Sequence, residues 1–309
     1  MSVNTTAPLT SLGKELELSP EAFGELRRSD DVAGDGAALQ ARMSEDGYLF
    51  LPGLLDVEGI RAARQHVVGR LAEGGLLDEQ FPHDATVTKP GTTGLRAPEK
   101  LVMQNAALRE VLYAGPMMAL YERLLGGAVR HYDFTWFRCV RGGGSGTYPH
   151  CDIVYMGRGT FNLYTSWTPI GDIPVGLGGL MILEGSHRQG AKLRHYLERD
   201  VDEYCTNHPD GDDIAAGRKQ WQDWDGRLSS DPVKLREKLG GRWLTTDFQM
   251  GDVLVFGMAT VHASLDNQTN RFRLSSDSRY QLASEPVDDR WVGEKPVGHG
   301  PAGKRGKIC

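Results

Sequence analysis

Residues 251–262 read GDVLVFGMATVH, and this stretch contains a clear strand signal with a functional residue at its end. Gly251-Asp252 is a dipeptide typical of turns. The apolar run that follows it has the length and β-branched content of a buried strand. His262 comes a few residues after this run. The sequence therefore predicts a buried strand that leads to an imidazole.

The segments on either side of this stretch also have the texture of strands. The chain contains 39 glycines, which suits short strands and tight turns better than a helical bundle. Further strand-like segments are Val129–Val140, 148–156, 160–168, 179–183, Trp243–Phe248 and Phe272–Gln281. We therefore predict a mainly β protein, a sandwich or barrel with helices packed outside it.

The flanking regions predict the domain organisation. Residues 1–36 are polar and predict a flexible N-terminal arm, and 299–309 predict a flexible tail. Residues 37–298 form the predicted single domain, with a helix over Ala37–Glu45 and a second one that Asp56 caps. The charged stretch 191–245 is predicted to be a helical insertion. It either packs as a small local core or covers the substrate as a lid.

Composition excludes several classes of partner. A net charge of −6 gives no basic face for nucleic acid. No apolar run approaches the roughly 20 residues that span a bilayer, so we expect no membrane association. The cysteines at positions 139, 151, 205 and 309 form no CxxC pair, which predicts reduced thiols and a cytoplasmic location. A small molecule is the expected substrate.

His150-Cys151-Asp152 is the central chemical motif. If it lies on a strand, positions 150 and 152 share a face and Cys151 points the other way. An imidazole and a carboxylate on one face can bind one metal ion, with a third ligand such as His262. His131-Tyr132-Asp133 has the same form, so the spacing alone does not choose between the two copies.

An arginine near the metal would complete the site. The strand predicted after His262 carries Arg271 and Arg273, which share a face with Ser275 by alternation. A guanidinium there can hold a carboxylate through two parallel hydrogen bonds. Alternation does not decide which of the two arginines takes this part.

Taken together, these motifs resemble the phytanoyl-CoA dioxygenase family of iron(II)- and 2-oxoglutarate-dependent oxygenases. The elements occur in the family's order: His150-x-Asp152, Trp167-x-Pro169, Gly178-Gly179-Leu180, Glu184-Gly185-Ser186-His187, Gly251-Asp252, His262-x-Ser264 and Arg273. The spacing of this series selects His150 and Asp152 over the earlier copy, and Arg273 over Arg271.

The resemblance implies a fold and a set of site residues. The implied fold is a double-stranded β-helix, or jelly roll, with flanking N-terminal helices. His150, Asp152 and His262 would hold iron(II), and Arg273 would pair with the distal carboxylate of 2-oxoglutarate. Ser264 and Trp167 would line the co-substrate pocket. Gln104 is the candidate for contacting the C1 carboxylate of 2-oxoglutarate.

The implied reaction is hydroxylation of an unactivated C–H bond in a small metabolite, with O2 consumed and succinate and CO2 released. A carboxylate at position 152 argues against halogenation, whereas desaturation, epoxidation and ring formation stay open. The alternative is a cupin-like isomerase or hydrolase that uses the same three ligands without O2. The residue pattern specifies neither the substrate nor an oligomeric state.

Overall fold

The structure is a computed structural model that describes residues 8–95, 97–219, 224–299 and 301–309. Its strands are β1 (Thr10–Ser11), β2 (Lys14–Glu15), β3 (Phe23–Glu25), β4 (Tyr48–Leu51), β5 (Val129–His131), β6 (Trp136–Val140), β7 (Tyr164–Pro169), β8 (Leu180–Leu183), β9 (Glu203–Cys205), β10 (Trp243–Thr245), β11 (Val253–Gly257), β12 (His262–Ser264), β13 (Arg273–Leu282) and β14 (Arg305–Lys307). Its α-helices are α1 (Gly36–Asp46), α2 (Val57–Glu73), α3 (Ala106–Tyr113), α4 (Gly115–Leu125), α5 (Ile153–Met156), α6 (Gly190–Leu197), α7 (Gly211–Ala215) and α8 (Pro232–Leu239).

The larger sheet has six strands and contains the predicted strand of residues 251–262. Its order is β4-β11-β7-β13-β5, and β6 pairs with another part of the long strand β13. Strand β11 pairs antiparallel with β4 on one side and with β7 on the other. It therefore lies inside the sheet, as its continuous apolar run indicates.

A second sheet of four strands has the order β12-β8-β10-β3. The two sheets share one hydrophobic cluster, in which Trp167 and Phe256 of the larger sheet lie with Ile182 and Leu244 of the smaller one. This arrangement is typical of two sheets packed face to face. The prediction of a mainly β protein is confirmed at this level.

The other face of the larger sheet packs against helices α1 to α4. Val253 and Val255 of β11 lie in one cluster with Leu39 of α1, Val67 of α2 and Leu112 of α3. The alternate residues of β11, Leu254 and Phe256, pack in the cluster shared with the second sheet instead. Because alternate residues point to opposite faces, a strand covered on both sides is apolar at every position.

The helix ends follow local capping rules. The Asp35 side chain accepts hydrogen bonds from Ala37 and Ala38 at the start of α1. Asp56 does the same for α2, as predicted, by accepting from the amides of Glu58 and Gly59. Gly47 ends α1 with φ of 77°, a left-handed conformation that glycine adopts at low cost.

The structure differs from the predicted flexible arm over 1–36. In its described part, residues 8–36, Leu9 and Phe23 are buried, and β3 pairs parallel with β10. A long-range pairing of this kind supplies the burial that the local composition lacks. Residues 1–7 lie outside the described part.

The helical insertion predicted over 191–245 extends too far toward the C-terminus. Strand β10, at residues 243–245, belongs to the smaller sheet between β8 and β3. The insertion therefore ends before Trp243, whose side chain is buried in the core. Residues 220–223, including Trp221, lie outside the described residues.

The C-terminal tail is ordered by pairing and by a disulfide bond. Strand β14 pairs parallel with β9, so the prediction of a flexible tail over 299–309 differs from the structure. Cys205 and Cys309 form a disulfide bond with 5.5 Å between their Cα atoms. The prediction of reduced thiols is wrong for this pair, because the strand pairing joins residues that are 104 positions apart.

Among the described residues, no helix has both the length and the apolar character needed to cross a bilayer.

We predict that Cys309→Ser lowers the free energy of unfolding by up to about 4 kcal/mol, because the disulfide closes a loop of 104 residues in the unfolded chain. Denaturant titration with and without a thiol reductant measures this. The wild type should respond to the reductant and the variant should not. Four titratable thiols in the oxidised, denatured wild type would contradict the pairing.

Candidate metal centre

Three buried side chains meet between the two sheets. One ligand atom each from His150, Asp152 and His262 lies within 4.8 Å of the others. Nε2 of His150 is 3.7 Å from Oδ1 of Asp152, and Nε2 of His262 is 3.6 Å from the same oxygen. These separations exceed hydrogen-bonding distance and suit donor atoms arranged around a shared ion.

Backbone pairing brings the two histidines together. The amide of His150 donates to the carbonyl of His262, and the reverse bond is made too, each at 3.0 Å. The two imidazole rings lie with their centroids 4.1 Å apart. Residues 112 positions apart in the chain are thus held as neighbours by the sheet and not by local sequence.

Asp152 reaches the site in a different way from the one predicted. Residues 148–156 do not form a strand, since the pairing at His150 is an isolated bridge and α5 begins at Ile153. Asp152 has helical dihedral angles, φ −66° and ψ −23°, so the turn into α5 carries its carboxylate back toward the histidines. Cys151 points away as predicted, with its Sγ 3.4 Å from the Ala259 carbonyl oxygen.

The orientation of both imidazoles is set by backbone carbonyls. Nδ1 of His150 lies 2.7 Å from the oxygen of Tyr148, and Nδ1 of His262 lies 3.0 Å from that of Thr260. A carbonyl only accepts, so each Nδ1 carries the proton and each Nε2 presents a lone pair to the site. Burial, aided by the neighbouring His262, lowers the pKa of His150 to about 3, and burial also lowers that of His262. Both imidazole rings are therefore neutral, and each can offer the Nε2 lone pair to a metal ion.

The carboxylate of Asp152 is held through one oxygen. Its Oδ2 accepts hydrogen bonds from Thr165 Oγ1 at 2.5 Å and from Arg279 Nη2 at 3.0 Å. Burial alone would raise the pKa of Asp152, but the Arg279 guanidinium and the two imidazoles together lower it below its ordinary value. The group is therefore an anion whose Oδ1 faces the two histidines.

This donor set fits a divalent transition metal. Two neutral imidazole nitrogens and one carboxylate oxygen form the two-His-one-carboxylate set that binds non-haem iron(II) and leaves open positions for further ligands. The hydrogen bonds at each Nδ1 and at Oδ2 are the outer contacts that orient such ligands.

Arg273 lies in the same cavity as the histidines. The described residues that line it are Arg138, Thr147, His150, Trp167, Leu180, Phe256, His262, Ser264, Arg273, Asp277 and Arg279. Nη1 of Arg273 donates to Ser275 Oγ at 2.5 Å, whereas its buried Nε has no hydrogen-bond partner within the described part of the chain. Burial lowers the pKa of Arg273 to about 10.

The structure separates the two arginines that alternation left equivalent. Arg271 precedes β13, and its Nε donates to the carbonyl of Ala85 at 2.9 Å. It lines a different cavity, next to Arg64 and Asp172. Only Arg273 of the two therefore points toward the histidines.

Two of the remaining predicted residues line the cavity and one does not. Trp167 and Ser264 are buried there, and the Ser264 hydroxyl accepts a hydrogen bond from the amide of Thr147 at 2.7 Å. Gln104 is exposed, with a φ of 62°, in the turn before α3. Its neighbour Asn105 turns inward instead, to cap α3. The prediction that Gln104 contacts the co-substrate is therefore corrected.

The second His-x-Asp copy is not part of this site. His131 stacks on Tyr113 with ring centroids 4.1 Å apart, and Asp133 accepts a hydrogen bond from the amide of Gly293. Neither residue lines the cavity that contains His150 and His262. The copy selected by the order of motifs in the chain is therefore the one that lies beside His262.

Sequence reasoning missed Arg279 and Thr165. They are directly paired across β13 and β7, so their side chains leave the sheet at the same point and both reach Asp152. Alternation from Arg273 would have placed residues 275, 277 and 279 on the inner face of β13. That signal was present, but only the tertiary structure shows which of these side chains contacts the carboxylate.

Comparison with known proteins agrees with this geometry. The sequence profile described as phytanoyl-CoA dioxygenase matches residues 43–275. The 1-deoxypentalenic acid 11-beta-hydroxylase of Streptomyces exfoliatus is 26% identical over 260 residues, covering 81% of this chain and 82% of the relative. The enzyme of the same name from Streptomyces arenae is 25% identical and covers 85% and 87%.

Solved structures share the fold at low sequence identity. EctD from S. alaskensis, solved with 2-oxoglutarate and 5-hydroxyectoine, is 17% identical with a TM-score of 0.53, covering 100% of this chain and 98% of its own. The epimerase SnoN, solved with Fe3+, alpha ketoglutarate and nogalamycin RO, is 21% identical with a TM-score of 0.52, covering 86% and 95%.

The profile match spans most of the chain and includes His150, Asp152, His262 and Arg273. The predicted class of enzyme and its predicted cofactors, iron and 2-oxoglutarate, agree with these relatives. The chain therefore belongs to the phytanoyl-CoA dioxygenase family.

Proposed function

We propose that this enzyme binds iron(II) through His150, Asp152 and His262 and hydroxylates an unactivated C–H bond of a small metabolite, releasing succinate and CO2. The observation that carries this proposal is the convergence of Nε2, Oδ1 and Nε2 within 4.8 Å in a buried site. Both Streptomyces relatives are named as hydroxylases, which favours hydroxylation over the other outcomes.

The proposed fold is the double-stranded β-helix, in which the two facing sheets form a jelly roll. The chain crosses repeatedly between the two sheets: β7 lies in the larger sheet, β8 and β10 in the smaller, β11 in the larger, β12 in the smaller and β13 in the larger. The likeness to EctD and SnoN supports this topology. In this topology the proposed ligands His150, Asp152 and His262 would lie buried between the two sheets.

The chain's own residues would position the co-substrate. When bound, iron and 2-oxoglutarate supply the oxidising power that a C–H bond requires, while the protein orients the reactants. The buried guanidinium of Arg273 would hold the distal carboxylate, between the side chains of Trp167 and Ser264 that line the same cavity. Asp152 occupies the position that a halide would need, so oxygen insertion is favoured over halogenation.

A cupin-like isomerase or hydrolase explains the three ligands but not Arg273. Arg273 is 3% exposed, and its Nε has no hydrogen-bond partner among the described residues. Burying such a cation costs free energy unless an anion binds beside it. A dicarboxylate co-substrate supplies this anion. The pairing of a metal site with a buried arginine therefore supports the oxygenase over the alternative.

We also propose that the insertion after β8 covers the substrate. It packs directly on the segment that bears the ligands, where Tyr196 Oη accepts a hydrogen bond from the amide of Cys151 at 2.9 Å. The hydroxyl of Tyr155 donates to the carbonyl of Asp225 at 2.9 Å. These contacts support a lid next to His150 and Asp152.

The decisive experiment combines anaerobic binding with turnover. Adding iron(II) and 2-oxoglutarate without O2 should produce a weak visible charge-transfer band, and admitting O2 with a metabolite library should release succinate. Absence of both the band and O2-dependent succinate would contradict the oxygenase proposal.

We predict that His262→Ala abolishes iron-dependent succinate release and weakens iron(II) binding, because it removes one of three ligands. His131→Ala is the matched control, since His131 belongs to the second His-x-Asp copy and does not line the site. Calorimetry and succinate assays measure both effects. Equal losses in the two variants would refute the assignment.

Arg273→Gln is expected to raise the concentration of 2-oxoglutarate required for half-maximal turnover by about tenfold or more, because charge-assisted hydrogen bonds contribute about 1.5–3 kcal/mol. Arg271→Gln should leave this requirement unchanged, since Arg271 lines another cavity. Titrating 2-oxoglutarate into each protein measures the effect. An unchanged requirement in Arg273→Gln would remove Arg273 from the co-substrate site.

Arg279→Met and Thr165→Val each remove one donor from Asp152 Oδ2. Metal affinity should fall about 10–100-fold, which is typical when an outer contact of a ligand is lost. Arg279→Met should also destabilise the metal-free protein by about 3–5 kcal/mol, because it leaves a buried charge unpaired. Cobalt(II) titration and denaturant unfolding measure the two effects. Wild-type cobalt affinity in both variants would contradict this role.

A further inference from the structure

Arg138 is a cation of the cavity that neither the metal nor the co-substrate accounts for. It lies on β6, where its register partner on β13 is Ser275, and it lines the cavity with His150 and His262. Its Nε donates to Asp277 Oδ2 at 3.0 Å. The side chain is 41% exposed, whereas that of Arg279 is 3% exposed. Arg138 is therefore a half-exposed cation of this cavity, whereas Arg279 is enclosed.

The charges in the site leave a place for one more anion. The cations are Arg138, Arg273 and Arg279, and the anions among the described residues at the site are Asp152 and Asp277, so one positive charge remains. Iron(II) would add two positive charges, and the 2-oxoglutarate dianion would remove two. With iron(II) and 2-oxoglutarate bound, the site would therefore keep a net charge of plus one. A site with an uncompensated positive charge attracts an anionic ligand.

An aromatic wall runs from the metal ligands to the C-terminal region. The ring of Tyr155 meets His150 edge-on with centroids 5.5 Å apart, and His299 lies 5.6 Å from Tyr155. Trp291 lies 4.7 Å from His299, and Trp136 lies 4.7 Å from Trp291. Trp291 is 1% exposed and backs this wall from the core, so the half-buried Trp136 and Tyr155 and the exposed His299 provide the surface on which hydrocarbon or ring systems can pack.

Trp136 ends this wall next to the arginines. Its ring lies under the guanidinium of Arg279, whose Cζ is 3.9 Å from the ring centroid. Two of the buried nitrogens of Arg279, Nε and Nη1, have no hydrogen-bond partner within the described part of the chain. Trp136 and Arg138 are two positions apart on β6, so they share one face of the strand. Arg138 therefore lies next to the end of the aromatic wall.

We propose that Arg138 binds a carboxylate of the substrate, and that the substrate's apolar body packs along the wall formed by Trp136, Tyr155 and His299. This inference rests on the proposed function and adds a substrate class to it: a carboxylic acid with an apolar ring or hydrocarbon skeleton. Holding the acid at Arg138 would fix the distance between the substrate's anionic end and the metal. Arg138 is thus a specificity-determining residue.

The test uses a pair of probes that differ only in charge. 2-Naphthoate and 2-naphthamide are each titrated anaerobically into the full chain, loaded with nickel(II) and saturating 2-oxoglutarate, and followed by calorimetry. We expect the acid to bind about tenfold or more tightly than the amide, because one charge-assisted contact is worth at least this factor. Arg138→Gln should abolish the difference.

Arg70→Gln is the matched control, because the Arg70 side chain is 43% exposed on the distant helix α2. It should preserve the preference for the acid. Equal binding of the two probes by the wild type, or binding of neither, would overturn the proposal. A loss of 2-oxoglutarate affinity in Arg138→Gln, with the acid preference intact, would assign Arg138 to the co-substrate and also overturn it.

The substrate-class proposal can fail while the oxygenase proposal holds, because the two are tested by different measurements. The charge-transfer band with iron(II) and 2-oxoglutarate tests the oxygenase site without any substrate. If the band forms but the two naphthyl probes bind equally, only the acid substrate class fails. A succinate-release screen then gives a second check, since its active compounds should be acids. The half-saturating concentration of such an acid should rise in Arg138→Gln, while that of the co-substrate stays at its wild-type value.

Discussion

A buried carboxylate must be compensated, and much of the polar interior follows from Asp152. The group is 2% exposed, so its charge is tolerated only because donors surround it. Arg279 and Thr165 engage Oδ2, and the two histidines face Oδ1. A divalent cation at that point would complete the compensation. The candidate metal site and the polar pair Arg279–Thr165 on β13 and β7 are therefore parts of one electrostatic arrangement.

Strand β13 connects this arrangement to the rest of the site. Its inner-face residues run in a line from Arg273, through Ser275 and Asp277, to Arg279. One end of the line faces the proposed co-substrate position, and the other end supports the proposed metal ligand Asp152. Because β13 pairs with β5, β6 and β7, its backbone is held on both sides. The spacing of the two guanidinium groups is therefore a property of a rigid strand, as accurate positioning requires.

The surroundings of the site are assembled from distant parts of the chain. The insertion contacts the segment that carries the ligands through Tyr196. The C-terminal region contributes His299 to the aromatic wall, with the buried Trp291 packed behind it. The disulfide between Cys205 and Cys309 joins the tail to the insertion. The C-terminal tail, whose composition predicts flexibility, thus forms part of the surroundings of the site. Its order comes from pairing with other elements and not from local composition.

The sequence alone determined the elements that local rules govern. Alternation and apolar runs predicted the strands, a capping aspartate predicted the start of α2, and the series from His150-x-Asp152 to Arg273 predicted the family and the residues that now meet in one cavity. These features depend on residues close in the chain or on a fixed order of motifs.

Tertiary structure decided the rest. It selected the turn into α5 that aims Asp152, the Arg279–Thr165 pair that holds it, and the cysteine pairing across 104 residues. These contacts depend on strand register and chain reversal, which bring together residues that no local pattern relates.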